Sequence, residues 1–122
     1  MTLRILAIDD SRTIREMLRQ SLTQGGFVVH VAEDGVDGLE KLPRVAPDLV
    51  ITDLNMPRLD GFGVIEAIRT REDFAGLPIL VLTTESAPAL RDHARSSGAT
   101  GWIVKPFEDS RLIGAIRRVT MI

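Results

Sequence analysis

Between Ile5 and Val119 a short apolar run gives way five times to a stretch whose apolar residues recur at helical spacing, and this alternation constrains the chain more than any single motif. The runs are Ile5-Leu6-Ala7-Ile8, Phe27-Val28-Val29-His30-Val31, Leu49-Val50-Ile51-Thr52, Pro78-Ile79-Leu80-Val81-Leu82 and Trp102-Ile103-Val104. Each is long enough for a strand and too short for a helix. After the first, Ser11 is placed to cap a helix whose apolar face is Ile14, Met17, Leu18 and Leu22, and Gly25-Gly26 stops it. Asp34 can cap a second helix carrying Val36, Leu39 and Leu42, which Pro43 should end early or kink. The third, Gly61 through Arg71, carries Phe62, Val64, Ile65 and Ile68. Ser86 with Pro88 opens a fourth, closed by Gly98, and the last runs from about Glu108 to Thr120 with Leu112, Ile113, Ile116 and Val119 inward. Strand and helix in strict alternation, with no linker and no repeat, predict an α/β domain: a doubly wound parallel sheet with helices on both faces.

Length and charge narrow what such a domain can do. A chain of 122 residues with 44% hydrophobic content fits one domain with a real core, so residues 1–122 are read as a single unit without an output domain after Ile122. Fifteen Lys and Arg against seventeen Asp and Glu give a net charge of −2, which argues against bulk attraction to nucleic acid or to an anionic membrane. Cysteine is absent, so disulfide and thiol chemistry are excluded. Met1-Thr2-Leu3-Arg4 leads into the first strand without signal-peptide architecture, and no apolar run reaches the length of a membrane span; the expectation is a cytoplasmic protein.

The residues that follow the runs carry the chemistry. Asp9-Asp10 follows the first strand, Asp53 the third, Thr83-Thr84 the fourth and Lys105-Pro106 the fifth. In an open parallel sheet these carboxyl ends lie along one edge, where ligand sites form. Singly, Asp53 reads as a turn cap, Thr83 as a strand-end hydroxyl, Lys105 as a solvated lysine and Trp102 as a half-buried strand aromatic. Together, Asp9-Asp10, Asp53, Thr83-Thr84 and Lys105 line one edge of the sheet. His30 and His93 have no partner at ligand spacing and read as surface or packing residues.

The pattern Asp-Asp, Asp, Thr and Lys-Pro at these strand ends resembles the receiver domain of two-component response regulators, over the chain from Ile5 to about Val119. Ile8-Asp9-Asp10-Ser11 and Gly98 through Phe107 are similar in particular to single-domain chemotaxis regulators of the CheY type. The resemblance implies a flavodoxin-like strand order 2-1-3-4-5 with five helices. In that order strands one and three are neighbours, which would crowd Asp9, Asp10 and Asp53 into one pocket; three carboxylates so placed cannot all stay ionised without a cation, and a site with few protein oxygens and room for water suits Mg²⁺ better than Ca²⁺. The resemblance also implies that Asp10, Asp53 and the backbone carbonyl of Asn55 hold Mg²⁺, with Asp9 acting mainly through water. It makes Asp53 the nucleophile that accepts a phosphoryl group from the phosphohistidine of a sensor histidine kinase of the CheA type. Lys105, in a cis peptide with Pro106, would reach a phosphate oxygen, and Thr83 would be drawn toward another. Trp102 stands where the family places a rotating aromatic, and Asn55 and Glu85 flank the path of the water that hydrolyses the aspartyl phosphate. Output is then docking through the face formed by helix 4, strand 5 and helix 5, which displays Arg91, Arg95, Arg111, Arg117 and Arg118. A flagellar motor switch protein is the expected target and a phosphatase a further partner, with nucleic acid and membrane excluded.

Three other readings compete. A phosphate-sink receiver would have no output. A haloacid-dehalogenase-type phosphatase would carry Asp-x-Asp after the first strand together with a cap or insert, whereas here the two aspartates are adjacent and no insert exists. A flavodoxin-like cofactor binder would need a phosphate-cradling run of Ser, Thr and Gly after the first strand, where this chain has Asp-Asp. The protein is therefore read as a phosphoacceptor that catalyses its own phosphorylation and dephosphorylation, not as an enzyme acting on a separate substrate.

Overall fold

The computed structural model describes residues 2–120, and the readings at Met1 and Ile122 lie outside them. Five strands, β1 (Arg4–Ile8), β2 (Val28–Ala32), β3 (Leu49–Thr52), β4 (Ile79–Thr83) and β5 (Gly101–Val104), alternate with α1 (Arg12–Gln24), α2 (Gly35–Val45), α3 (Gly61–Arg69), α4 (Pro88–Ser97) and α5 (Asp109–Thr120). All strand pairs are parallel and the order is β2-β1-β3-β4-β5. The doubly wound, flavodoxin-like arrangement is therefore as the sequence and its resemblance implied.

Alternation of side chains along each strand divides the interior into two cores. Leu6, Ile8, Val50, Ile79 and Val81 meet Leu42, Val64, Ile65, Ile68 and Ala94 of α2, α3 and α4 on one face. Ile5, Ala7, Leu49, Ile51, Leu80 and Leu82 meet Leu18 and Leu22 of α1 and Leu112 and Ile116 of α5 on the other. Central strands buried on both faces must be apolar throughout, which is why they stand out in the sequence as unbroken runs. Side chains of Ser11, Asp34 and Asp60 cap α1, α2 and α3 by accepting the N–H of Ile14, Asp37 and Gly63.

Several local expectations fail for identifiable reasons. Met17 is 44% exposed. The buried stripe of α1 is instead Leu18, Ser21 and Leu22, and the Ser21 hydroxyl is accommodated there by donating to Asp109 at the start of α5 at 2.9 Å. Pro43 neither ends α2 nor stops it early: the helix continues to Val45, because in the last turn the missing N–H forgoes a single ladder bond. It closes at Ala46, which takes a left-handed conformation with φ 47° and donates its N–H to the Leu42 carbonyl at 2.9 Å. β2 begins at Val28, with Phe27 buried just before it. α3 stops at Arg69 and a single 3-10 turn, Glu72–Phe74, follows. α4 is entered through Ala87 with no side-chain cap, so Ser86 does not open it; Pro88 alone sets the first turn. Among the described residues no helix is long and apolar enough to cross a membrane.

Candidate functional site

The register sets the site. Ile8 pairs with Thr52, so Asp9 and Asp53 leave their strands at the same level; that rung continues through Val81 to Trp102, so Lys105 stands two residues beyond the level of the aspartates on the same edge, and its long side chain reaches back to both carboxylates. Below them the β3–α3 loop folds back so closely that a Cβ on Gly61 would run into the Asp53 carbonyl oxygen, and the Gly61 N–H closes the loop onto the Leu54 carbonyl at 2.8 Å. Glycine there lets the backbone pass directly beneath the aspartate.

Asp9 is almost wholly buried. Its Oδ1 accepts the Ser11 N–H at 2.9 Å, and its Oδ2 lies 2.7 Å from Lys105 Nζ. Asp53 accepts the Leu54 N–H on Oδ1 at 2.7 Å and Lys105 Nζ on Oδ2 at 2.9 Å. One ammonium thus bridges two carboxylates, and Asp10 adds a third, exposed one; carboxylate oxygens of Asp9, Asp10 and Asp53 lie within 4.8 Å of one another. Burial pushes the Asp9 carboxyl above the usual carboxylate range, outweighing the hydrogen bonds from Lys105 and Ser11 that stabilise its anion. For Lys105, burial alone would lower the pKa, but the hydrogen bonds to Asp9 and Asp53 prevail and hold it above the ordinary lysine value. A single ammonium does not balance three carboxylates, and every donor is a hard oxygen, so the donor set fits a small divalent cation such as Mg²⁺.

A second group of contacts adjoins the carboxylates. Thr83 is wholly buried at the end of β4; its Oγ1 accepts the Glu85 N–H at 3.3 Å, and its carbonyl accepts the Lys105 N–H at 2.7 Å. Glu85 is tied twice more. Its carboxylate accepts Asn55 Nδ2 at 3.2 Å, and its carbonyl accepts Trp102 Nε1 at 3.2 Å. Trp102 is half-buried and packs against the core beneath α4. The Lys105-Pro106 peptide is cis.

Residues 5–117 match the family described as the response regulator receiver domain. The chain belongs to that family. Among curated relatives it is 44% identical over 115 residues to the response regulator MprA of Mycobacterium leprae and 41% identical over 117 residues to that of Mycobacterium ulcerans. These alignments take in 94% and 96% of the chain but 50% of each relative, so the chain spans about half the length of the curated relatives it matches. Among solved structures it is similar to the chemotaxis protein CheY4 of Vibrio cholerae, with a TM-score of 0.94, 39% identity, and 98% of this chain and 99% of that one covered. A CheY-like response regulator receiver domain protein from Methanospirillum hungatei, 23% identical, shares the fold with a TM-score of 0.91 over 98% of this chain and 94% of that one.

Two contacts of this receiver are invisible to a reading of strand ends. Arg58 reaches across the β3–α3 loop to Asp34, with Nε 2.8 Å from Oδ2 and Nη2 3.0 Å from Oδ1. Arg58 itself is left-handed, with φ 70°. Arg15 donates to the Asp9 carbonyl at 2.8 Å and so fixes the β1–α1 turn; its place one turn after the Ser11 cap was the available clue. His93 is exposed and stacks on Phe62 of α3 with ring centroids 4.1 Å apart, while His30 is exposed on β2; neither enters the receiver site. Arg91, Arg95, Arg111, Arg117 and Arg118 are all exposed.

Proposed function

We propose that this receiver is a signalling switch thrown by phosphorylation of Asp53. The observation that carries the reading is the Lys105 ammonium held 2.7 Å from Asp9 and 2.9 Å from Asp53, beside a third carboxylate at Asp10. Asp53, nucleophilic as a carboxylate, attacks the phosphorus of a phosphohistidine on a sensor kinase. The P–N bond breaks, its electron pair returns to the imidazole, and an aspartyl phosphate forms. Lys105, kept protonated by its two partners, transfers its hydrogen bond from the Asp53 carboxylate to an oxygen of the new phosphoryl group. Asp10, Asp53 and the Asn55 carbonyl would hold Mg²⁺, with Asp9 mainly through water. When bound, the ion supplies neutralisation of the charge on the transferring oxygens. Hydrolysis returns Asp53 to the carboxylate and releases inorganic phosphate, with Asn55 and Glu85 bordering the water's approach.

Output by docking through α4, β5 and α5 is supported by the arginines exposed on those helices. A chemotaxis target, such as a flagellar switch protein, is supported by the likeness to CheY4 of Vibrio cholerae; the MprA relatives carry no such name.

Incubation with acetyl phosphate and Mg²⁺ tests the reading. The wild type is expected to gain the mass of one phosphoryl group on Asp53, and Asp53→Asn none. Label on another residue, or turnover without accumulation of a phosphoprotein, would overturn it. Capture of a partner by the beryllofluoride form and not by the unmodified form tests the docking step.

A further inference from the structure

We propose that the open edge of the sheet at β2 is a docking strip for an extended acidic segment of a partner protein, which adds to it as a sixth strand. β2 is last in the strand order, so one of its two sides has no neighbouring strand. The Val28 N–H donates to the Leu3 carbonyl at 3.0 Å, and the Ala32 carbonyl accepts the Asp9 N–H at 3.1 Å. Residues of a parallel ladder alternate in the side to which they turn their backbone groups. Val28, His30 and Ala32 therefore face β1, and Val29 and Val31 turn N–H and C=O to the open side. Lys41 of α2 confirms that direction, since its Nζ donates to the Val31 carbonyl at 2.9 Å from outside the sheet.

A cleft of about 560 Å³ follows this edge, between α1 and α2. Arg4, Arg19, His30, Lys41 and Arg44 surround it, and no acidic residue lines it. A chain of net charge −2 thus gathers four permanent cations and a histidine along one strand. Lys41 has Asp37 at 3.0 Å and Arg19 has Glu16 at 3.9 Å, but among the described residues the side chains of Arg4 and Arg44 form no ion pair.

The chemistry of the strip selects its occupant. A second copy of this chain, pairing edge to edge, would bring the same cations face to face, and repulsion opposes it. A DNA backbone offers acceptors alone, whereas Val29 and Val31 present donors and acceptors in turn, as a strand does. A peptide in extended conformation matches them, and carboxylates on it match the rim. Lys41 need only exchange the Val31 carbonyl and Asp37 for a carboxylate of the incoming strand. The carbonyl it releases then joins the new ladder.

The test uses the full chain and two synthetic peptides, one of alternating Glu and Val and one of alternating Lys and Val. Calorimetry is expected to show binding of the Glu peptide alone, weakening as salt is raised. Hydrogen exchange should slow at the Val29 and Val31 amides and stay unchanged at Val28 and His30. Arg19→Glu combined with Arg44→Glu alters only exposed side chains, and should lower affinity by at least about tenfold while Asp53 is still labelled by acetyl phosphate at the wild-type rate. Equal binding of the Lys peptide overturns the proposal, as does binding of the Glu peptide without protection at Val29 and Val31. So does preferential binding of an oligothymidylate, or a dimer of the unmodified chain that the paired reversal dissociates.

Discussion

Arg58 holds Asp34 by two hydrogen bonds, and Asp34 also caps α2, so one carboxylate fastens both the β3–α3 loop and the start of a helix. The guanidinium, with help from the Asp37 N–H, keeps the Asp34 carboxyl below the usual carboxylate range. A carboxyl whose folded pKa lies below its unfolded one contributes stability in full above the unfolded value and loses it as pH falls through the folded value. Asp34→Asn keeps the cap and removes the charge. It should be less stable than the wild type at neutral pH, with the gap closing on acidification, as urea denaturation at a series of pH values would show. Asp34→Ala loses the cap as well and should cost about 1 kcal/mol more. Glu85→Ala removes the contact to Asn55; the phosphorylated form should then decay at a rate changed severalfold, followed by loss of the phosphoryl mass, while labelling of Asp53 persists. Asp9, Asp10, Asp53 and Lys105 could be located in the sequence because parallel strands deliver their carboxyl ends to one side. The partner of Arg58 could not: a contact across a loop over 24 residues has no periodicity to betray it.

At the level of elements, the strands were legible because burial on both faces demands apolar runs, while helix ends depended on particulars that no pattern records. α2 shows why. Its proline was the stop signal in the sequence, yet the helix passes it and ends on an alanine in a left-handed turn, a place glycine usually fills. Ala46→Gly should raise stability by about 0.5–1 kcal/mol, the relief of left-handed strain less the entropy glycine loses on folding; the urea midpoint should rise with its slope unchanged. The reverse holds at Gly61, where a methyl group meets the Asp53 carbonyl and the Leu54 backbone. Gly61→Ala should cost roughly 2 kcal/mol or more through forced backbone movement. Because that movement is against the backbone of Asp53, the proposed acceptor, labelling by acetyl phosphate should slow as well.

Across the whole molecule, Glu85 connects the surroundings of the carboxylate cluster to β5: Thr83 and Asn55 hold it on one side and Trp102 on the other. On the function proposed above, drawing the Thr83 hydroxyl toward a phosphate would free the Glu85 N–H and with it the loop to which Trp102 is bonded. Packed interiors shift between discrete arrangements a few kcal/mol apart, so the single tryptophan should change fluorescence saturably with beryllofluoride and Mg²⁺. Thr83→Ala should keep labelling of Asp53 and lose most of that response; an unaltered response would remove Thr83 from the relay. The bridge from Lys105 to Asp9 and Asp53 also bears on the birth of the protein. Its two carboxylates leave the ribosome before the ammonium, which follows β5, 96 residues after Asp9. On the function proposed above, a nascent chain therefore carries its acceptor before it carries the group that would steady the product. Competence to be switched would then arrive only when β5 has joined the sheet, and on that proposal a growing chain stays deaf to its signal until it is folded.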